Sequence, residues 1–275
     1  MTDINDIFHR TPPQRLYHYT TQRGLLGILD SKEMWATHTQ YLNDQREFRH
    51  AISLVKDELH TMRADSARHN DHGLLELMEK VVDGMGGINV CVCSFSEIGD
   101  SLSQWRAYGE SASGFSIGFS GAFLRSVSED QNFWLVPVLY DESEQRELVR
   151  DVLNRFLAES VSEPARIRAF QIHGYLNRYA PILKHHSFSE EREWRIVSHP
   201  LQSTHERFGY RPGTSMLVPH FRIPLTSPQR PLAIEEVLVG PTPHSEQSER
   251  SVSGVLIRHG LMTPVRQSEV PYRNW

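Results

Sequence analysis

The sequence is poor in cysteine and contains no long apolar run. Cys91 and Cys93 are the only cysteines and lie two residues apart on a predicted strand, a spacing that argues against a disulfide and excludes a secreted disulfide framework. No stretch approaches the roughly 20 apolar residues that cross a bilayer. Residues 1–10 have neither the apolar core nor the cleavage site of a secretory signal. We therefore expect a cytoplasmic protein with reduced thiols and no membrane association.

An excess of positive charge is also missing. The 275 residues carry a formal net charge of -5, with 39% hydrophobic and 23% charged residues, as in an ordinary globular protein. Because lysine and arginine supply most non-specific affinity for phosphates, this balance argues against broad nucleic-acid binding. A local basic groove remains compatible with it.

Several catalytic signatures are absent from the sequence. It has no G-x-x-x-x-G-K-[ST] or G-x-G-x-x-G phosphate loop, no H-E-x-x-H and no C-x-x-C. The 15 histidines are dispersed, and His185 and His186 are adjacent rather than spaced as metal ligands. We therefore predict that the protein has no metal site.

The pattern along the chain alternates predicted strands and helices. Leu16–Thr20 reads as a strand, and Thr21 can cap the helix that follows. Asp44 and Glu47 fit a capping box at the start of a long helix. We expect an α+β fold of seven or more strands with flanking helices. Residues 1–275 form a single domain in this prediction, with a helical insertion at approximately 141–183.

The most informative segment reads F-S-E-E-R-E-W-R-I-V at 188–197. In an extended strand, Glu191, Glu193 and Arg195 project from one face, with the two carboxylates about 7 Å apart. Trp194 and Ile196 then form the buried side. Two interpretations stay open: the charged side chains line a cleft, or Glu193 and Arg195 form a salt bridge with each other or with neighbours.

The chain resembles a large bacterial family of uncharacterised proteins. The resemblance covers nearly the whole chain, but the family carries no assigned activity. It is carried by these segments: Y-H-Y-T at 17–20, L-N-D-Q-R-E at 42–47, S-F-S at 94–96, Q-W-R-A-Y at 104–108, G-F-S-I-G-F at 114–119 and E-R-E-W-R at 191–195.

A looser resemblance, resting on fewer positions, concerns chemistry. The order of a histidine strand, an S-x-S strand and an E-x-E strand is similar to the NAD-binding core of the ADP-ribosyltransferases. This resemblance implies a split or mixed β-sheet core, NAD as the substrate, and transfer of ADP-ribose to a macromolecular acceptor, protein or nucleic acid, or simple hydrolysis of NAD. It also implies a role as a toxin or phage-defence effector, with a regulatory partner as a further expectation.

The two glutamates take the catalytic roles that this resemblance implies. Breaking the bond between nicotinamide and ribose produces an oxocarbenium-like transition state, which a preorganised carboxylate stabilises. By the resemblance, Glu193 takes this role, and Glu191 orients or deprotonates the acceptor.

Five other residues are expected to bind NAD. By the resemblance, His18, with Tyr19 beside it, contacts the adenosine ribose or the phosphates. Ser94 or Ser96 fixes Glu193 or the ribose, and Tyr108 stacks on nicotinamide. A structural alternative exists for each position; for example, His18 is equally well explained as a core or boundary histidine.

Two other classes of function fit the same residues. One is a non-catalytic module that binds a nucleotide or a nucleic acid through the same cleft. The other is a nuclease that binds Mg²⁺ through Asp44, Glu47, Glu191 and Glu193.

Overall fold

The computed structural model describes residues 4–42, 45–65, 71–83, 88–108, 114–159 and 164–272, and within them ten strands and nine α-helices. The strands are β1 Arg15–Thr20, β2 Glu33–His38, β3 Cys91–Ser96, β4 Phe115–Ser120, β5 Trp134–Pro137, β6 Glu193–Val197, β7 Phe208–Pro212, β8 Leu217–Pro224, β9 Glu236–Val239 and β10 Val265–Gln267. The helices are α1 Ile4–Phe8, α2 Gln22–Ser31, α3 Gln45–Ala64, α4 His72–Asp83, α5 Leu102–Tyr108, α6 Gly121–Asp130, α7 Glu142–Glu159, α8 Ala165–Tyr179 and α9 Ser245–Arg258. Short 3₁₀ turns cover Thr39–Tyr41, Ala180–Ile182 and His186–Glu191.

All ten strands belong to one sheet, which is antiparallel except where β10 pairs with β9. β3 is the central strand. β6 pairs along one edge of β3 from Val92 to Ser96, and β5 pairs with β6 beyond it. The other edge of β3 receives β1 at Ser96 and β2 at Cys91 and Val92.

The sheet therefore splits along β3. β1 continues outward to β4, β9 and β10, whereas β2 continues to β8 and β7. Between the two branches, residues 93–95 of β3 have, among the described strands, a neighbour on the β6 side alone. Backbone groups at such a split need partners other than a strand.

Apolar side chains form separate clusters on the two faces of the sheet. One face, which carries Phe95 and Trp194, packs against α2, α6 and α9 in a single core. The opposite face is covered at one end by a core that joins Val92 and Val197 to α3, α4, α7 and α8. A small cluster of Tyr19, Trp105 and Leu238 covers its other end. The middle of this second face holds polar side chains.

Much of the predicted architecture is confirmed. The α+β class is correct, with a large, mostly antiparallel sheet and flanking helices. Thr21 caps α2 by accepting a hydrogen bond from Gly24 N at 3.2 Å. α7 and α8 lie between β5 and β6. The single domain with a helical insertion at approximately 141–183 stays a prediction. The capping box at Asp44 and Glu47 lies outside the residues whose side chains are described.

One prediction about the E-x-E segment is wrong. Glu191 does not belong to an extended strand: it ends the 3₁₀ turn, and β6 begins at Glu193. Between them Arg192 has φ 42°, in the left-handed region that non-glycine residues rarely occupy, so the alternation of side chains breaks there. β7 and α6 were not predicted. None of the helices in the described part of the chain has the length and apolarity needed to cross a membrane.

Candidate functional site

A cluster of charged and hydroxyl side chains occupies the polar middle of the second sheet face. Register pairs Ser94 with Arg195 and Ser96 with Glu193, so these four side chains share this face. Along β3, Val92 belongs to the helical core on one side of the cluster. Across from Ser96, Tyr17 packs against the small aromatic cluster on the other side. The polar cluster therefore lies where two apolar regions meet, beside the split in the sheet.

Glu193 is the centre of this cluster and is only 6% exposed. Arg195 binds its carboxylate with two hydrogen bonds, Nε to Oε1 at 2.7 Å and Nη2 to Oε2 at 2.8 Å. The arginine is itself fixed by donating from Nη1 to Pro181 O at 2.5 Å. Of the two interpretations left open by the sequence, the salt bridge between Glu193 and Arg195 is present, in the bidentate form that holds a carboxylate most firmly.

Lys184 joins the two glutamates. Its Nζ lies 2.6 Å from Glu191 Oε2 and 3.0 Å from Glu193 Oε2. Its side chain is 5% exposed, and Nζ also lies 5.1 Å from the centre of the Phe188 ring. With Arg195, the cluster contains two carboxylates and two cations. Such compensation is what allows Lys184, Glu193 and Arg195 to be buried beside the partly buried Glu191.

Glu193 remains ionised despite its burial. Desolvation by itself raises the pKa of this carboxyl group. The charges of Arg195 and Lys184, with hydrogen bonds from Arg195 and Ser94, outweigh it and lower the pKa from 4.5 to about 2. At neutral pH the side chain is therefore an anion with a fixed orientation.

Two tyrosines border the carboxylates. Tyr140 Oη accepts a hydrogen bond from Glu193 N at 3.0 Å, and burial followed by the charge of Glu193 raises the pKa of Tyr140. Tyr108 ends α5 and is 38% exposed. Burial of its hydroxyl, followed by the charges of Glu193 and Glu191, raises the pKa of Tyr108 to about 12. Tyr108 is thus a neutral phenol that lies within the field of both carboxylates and remains partly open to solvent.

The two predicted serines have different positions. The Ser94 hydroxyl is hydrogen-bonded to the Glu193 carboxylate. Ser96 Oγ donates to Glu191 O at 2.7 Å and accepts from Ile98 N at 3.0 Å. Ser94 therefore orients the carboxylate, and Ser96 holds the backbone of the turn that carries Glu191.

His18 lies at the split but on the other face of the sheet. Strand alternation places it with Leu16 on the face of the large core, and its ring lies 5.8 Å from that of Phe95. Its Nδ1 donates to Ser94 O at 3.0 Å, which supplies a partner to a carbonyl that lies between the two branches. Burial lowers the pKa of His18, so the neutral ring carries its proton on Nδ1 and a lone pair on Nε2. His18 and Glu193 are therefore not in direct contact: His18 binds the backbone carbonyl of Ser94, and Glu193 binds its hydroxyl.

Tyr19 lies away from the carboxylates. Its hydroxyl donates to Ile98 O at 2.8 Å and accepts from Ser101 N at 3.0 Å, and its ring packs edge-on against Trp105 at 4.7 Å. These contacts attach the loop before α5 to β1. Tyr19 therefore positions the helix that ends at Tyr108, and the described contacts do not bring it to Glu193.

Sequence reasoning missed Lys184, Tyr140 and the bridge between the two glutamates. A usable signal exists for the lysine: Lys184 follows the apolar run A-P-I-L at 180–183, and a lone charge beside a buried run indicates a buried partner. The sequence contains no comparable signal for Tyr140, because its hydroxyl accepts a hydrogen bond from the backbone N–H of Glu193, not from a side chain.

Two other chemistries have less support from the site. G-F-S-I-G at 114–118 matches the nucleophile-elbow pattern G-x-S-x-G, but Ser116 is buried within β4 instead of lying at a strand-to-helix turn. For a Mg²⁺ nuclease, the carboxylates of Glu191 and Glu193 are engaged by Lys184 and Arg195. Within the described ranges, no three histidine, cysteine or acidic side chains are grouped to hold a metal ion.

Part of the chain matches a known protein family. Residues 104–196 match a family described as Protein of unknown function (DUF2971). The matched part runs from α5 to β6 and includes Tyr108, Tyr140, Lys184, Glu191 and Glu193. No curated protein and no solved structure is similar enough to this chain to be matched. The match fits an uncharacterised family and leaves the chemistry to be argued from the site.

Proposed function

We propose that this protein is an ADP-ribosyltransferase-like enzyme that cleaves NAD and transfers ADP-ribose to a macromolecule. The observation that carries the proposal is Glu193: an ionised, nearly solvent-excluded carboxylate, fixed by Ser94 and Arg195 beside the split in the sheet. An oxocarbenium-like transition state needs an anion that is already oriented, since a preorganised group pays no reorganisation during the reaction.

In the proposed reaction, the bond between ribose C1′ and the nicotinamide nitrogen breaks, and nicotinamide leaves with the electron pair. Glu193 stabilises the positive charge that develops on the ribose. A nucleophile of the acceptor, or water, then forms a bond to C1′ and loses its proton. Glu191 is the proposed acceptor of that proton, because its side chain is more exposed than that of Glu193.

Lys184 and Arg195 allow the Glu193 carboxylate to stay ionised although it is buried. Lys184 contacts both carboxylates, so it keeps Glu191 as a partner when Glu193 binds a ribose hydroxyl. Arg195 holds Glu193 in place during the exchange. Tyr108, partly exposed at the end of α5, is available to stack on nicotinamide. His18 lies on the core face of the sheet, opposite Glu193, so the proposal gives it no contact with NAD; its contact with Ser94 O holds the strand that carries the serine.

The test is release of nicotinamide from NAD by the purified protein, measured by chromatography. Glu193→Gln keeps the shape of the side chain and removes its charge, and we expect at least about a hundredfold loss, as for other preorganised electrostatic groups. Glu236→Gln is the matched control. Glu236 is 3% exposed in the same sheet and is bound by Arg15 and Arg266, so its replacement carries a similar structural cost without touching the site.

Activity that persists in Glu193→Gln contradicts the assigned role of Glu193. An equal loss in both variants means that stability, not catalysis, was measured, and circular dichroism identifies that case.

A non-catalytic binding module is the second candidate. It is favoured by the near-complete neutralisation of Glu193 and Glu191 by Lys184 and Arg195, which resembles a structural network as much as a catalytic one. Calorimetry that detects NAD binding without nicotinamide release would favour this candidate.

A further inference from the structure

A second surface feature lies on the other branch of the sheet. Trp35, on β2, is 49% exposed and is the only exposed tryptophan in the described part of the chain. Its indole stacks on the His220 ring with centroids 4.3 Å apart and an interplanar angle of 24°. One face of the indole is therefore covered by a buried imidazole, while much of the side chain is open to solvent.

The backbone prepares this stack. Gly209 on β7 pairs with His220, and a Cβ at Gly209 would lie 3.2 Å from the imidazole Cε1. Any larger residue there would crowd the ring on which Trp35 rests. Desolvation, with smaller effects from Arg211 and Arg222, lowers the pKa of His220. The imidazole is thus a neutral aromatic support at physiological pH.

Two arginines flank the stacked rings on the same face. Register places Arg222 directly beside Trp35, and places Arg211 beside Val218, the next position on this face after His220. Arg222 donates to Glu206 O at 2.7 Å and lies 3.9 Å from Glu33 Oε2. Arg211 has no ion pair with any residue in the described ranges. Arg222 therefore lies beside the indole, and Arg211 lies beyond the His220 ring. An exposed aromatic side chain with cations nearby is the combination that stacks an unpaired base and binds its phosphates.

We propose that Trp35 is a stacking platform for an unpaired nucleobase of a single-stranded nucleic acid, with Arg211 and Arg222 binding the adjacent phosphates. The net charge of -5 allows this, because the proposed site is local and depends on stacking as well as on charge. RNA and DNA strands share the recognised groups, a base face and a phosphate. The proposal does not depend on NAD chemistry, and it supplies a surface on which a nucleic-acid acceptor would be held.

The test is fluorescence anisotropy of labelled oligouridylate and oligothymidylate with the full chain, without NAD. We expect binding of at least one single strand, and an affinity about five- to 150-fold lower for Trp35→Ala, the range measured for loss of one stacked base. Trp35→Phe keeps an aromatic face and should restore part of the affinity.

Matched controls separate the site from the general surface. Tyr210→Ala removes an exposed aromatic side chain from the opposite face of the β7–β8 hairpin and should leave the affinity unchanged. Arg211→Gln should lower the salt dependence of binding, with a slope smaller by about 0.7. Arg250→Gln, on the exposed surface of α9, should not.

Absence of binding to either strand overturns the proposal. So does equal binding by the parent protein and Trp35→Ala, or a preference for duplex over single strands. Because no NAD is present, these results are independent of whether Glu193 is catalytic.

Discussion

Replacing Lys184 by methionine is the sharpest perturbation of the charged cluster. The change keeps most of the length of the side chain and removes the cation that lies 2.6 Å from Glu191 and 3.0 Å from Glu193. At about 3 Å and an effective dielectric constant of about 20, each pair attracts by roughly 5 kcal/mol. Desolvation of the lysine offsets much of this attraction. Removing one partner from a buried ion network lowers the free energy of unfolding by about 3–5 kcal/mol, because the remaining charges stay buried without compensation.

The assay is urea unfolding at neutral pH. Lys80→Met is the matched control, since Lys80 also pairs with a glutamate at 2.8 Å but is 68% exposed. An exposed pair of this kind contributes little to stability, because solvent screens its charges. Adding Glu191→Gln to Lys184→Met should recover part of the lost stability, since it removes one of the uncompensated charges. A loss below about 1 kcal/mol for Lys184→Met would refute the argument that this network holds the buried Glu193 carboxylate ionised.

Three further predictions follow from burial and packing. The pKa of Glu193 is lowered from 4.5 to about 2, so its ionisation contributes roughly 3 kcal/mol to the free energy of unfolding above pH 4.5. This contribution is lost as the pH falls through about 2. In Lys184→Met, the free energy of unfolding measured by urea should fall less between pH 4.5 and pH 2 than in the parent protein. Burial raises the pKa of both Cys91 and Cys93 to about 12, so a thiol reagent at pH 8 should label neither until the protein unfolds, and rapid native labelling would contradict their placement. Gly99→Ala should destabilise the protein by about 1–3 kcal/mol, because its Cβ would lie 2.5 Å from the Tyr17 ring. Gly254→Ala should stabilise it by up to about 1 kcal/mol, because this helical position has no atom within 4 Å of an added Cβ. Thermal melts in which Gly99→Ala is the more stable variant would refute this prediction.

Local patterns predicted the elements that depend on short-range physics. The strand at Leu16–Thr20 and the helix capped by Thr21 follow from side-chain alternation and from a hydroxyl at the right position. The edge strand β7 was missed because F-G-Y-R-P contains glycine and proline, which weaken any strand signal. Its pairing with β8 gives it a structure that its own sequence does not specify.

The candidate site was predictable in its residue types but not in its connections. Alternation correctly placed Glu193 and Arg195 on one strand face. It failed at Glu191, because the left-handed conformation of Arg192 is a tertiary outcome with no local signal. Lys184 contacts Glu191 because the 3₁₀ turn over His186–Glu191 folds the chain back between them. Hydrophobic periodicity in the sequence does not predict such a turn. The position of His18 depends on where β1 leaves β3, and strand order cannot be read from one sequence.

The most direct test of the central claim is a crystal structure of Glu193→Gln with intact NAD. The proposed function predicts the nicotinamide ribose within hydrogen-bond distance of residue 193, the nicotinamide ring against Tyr108, and Lys184 retained by Glu191. NAD bound elsewhere, with neither its ribose near residue 193 nor its nicotinamide ring near Tyr108, would contradict it.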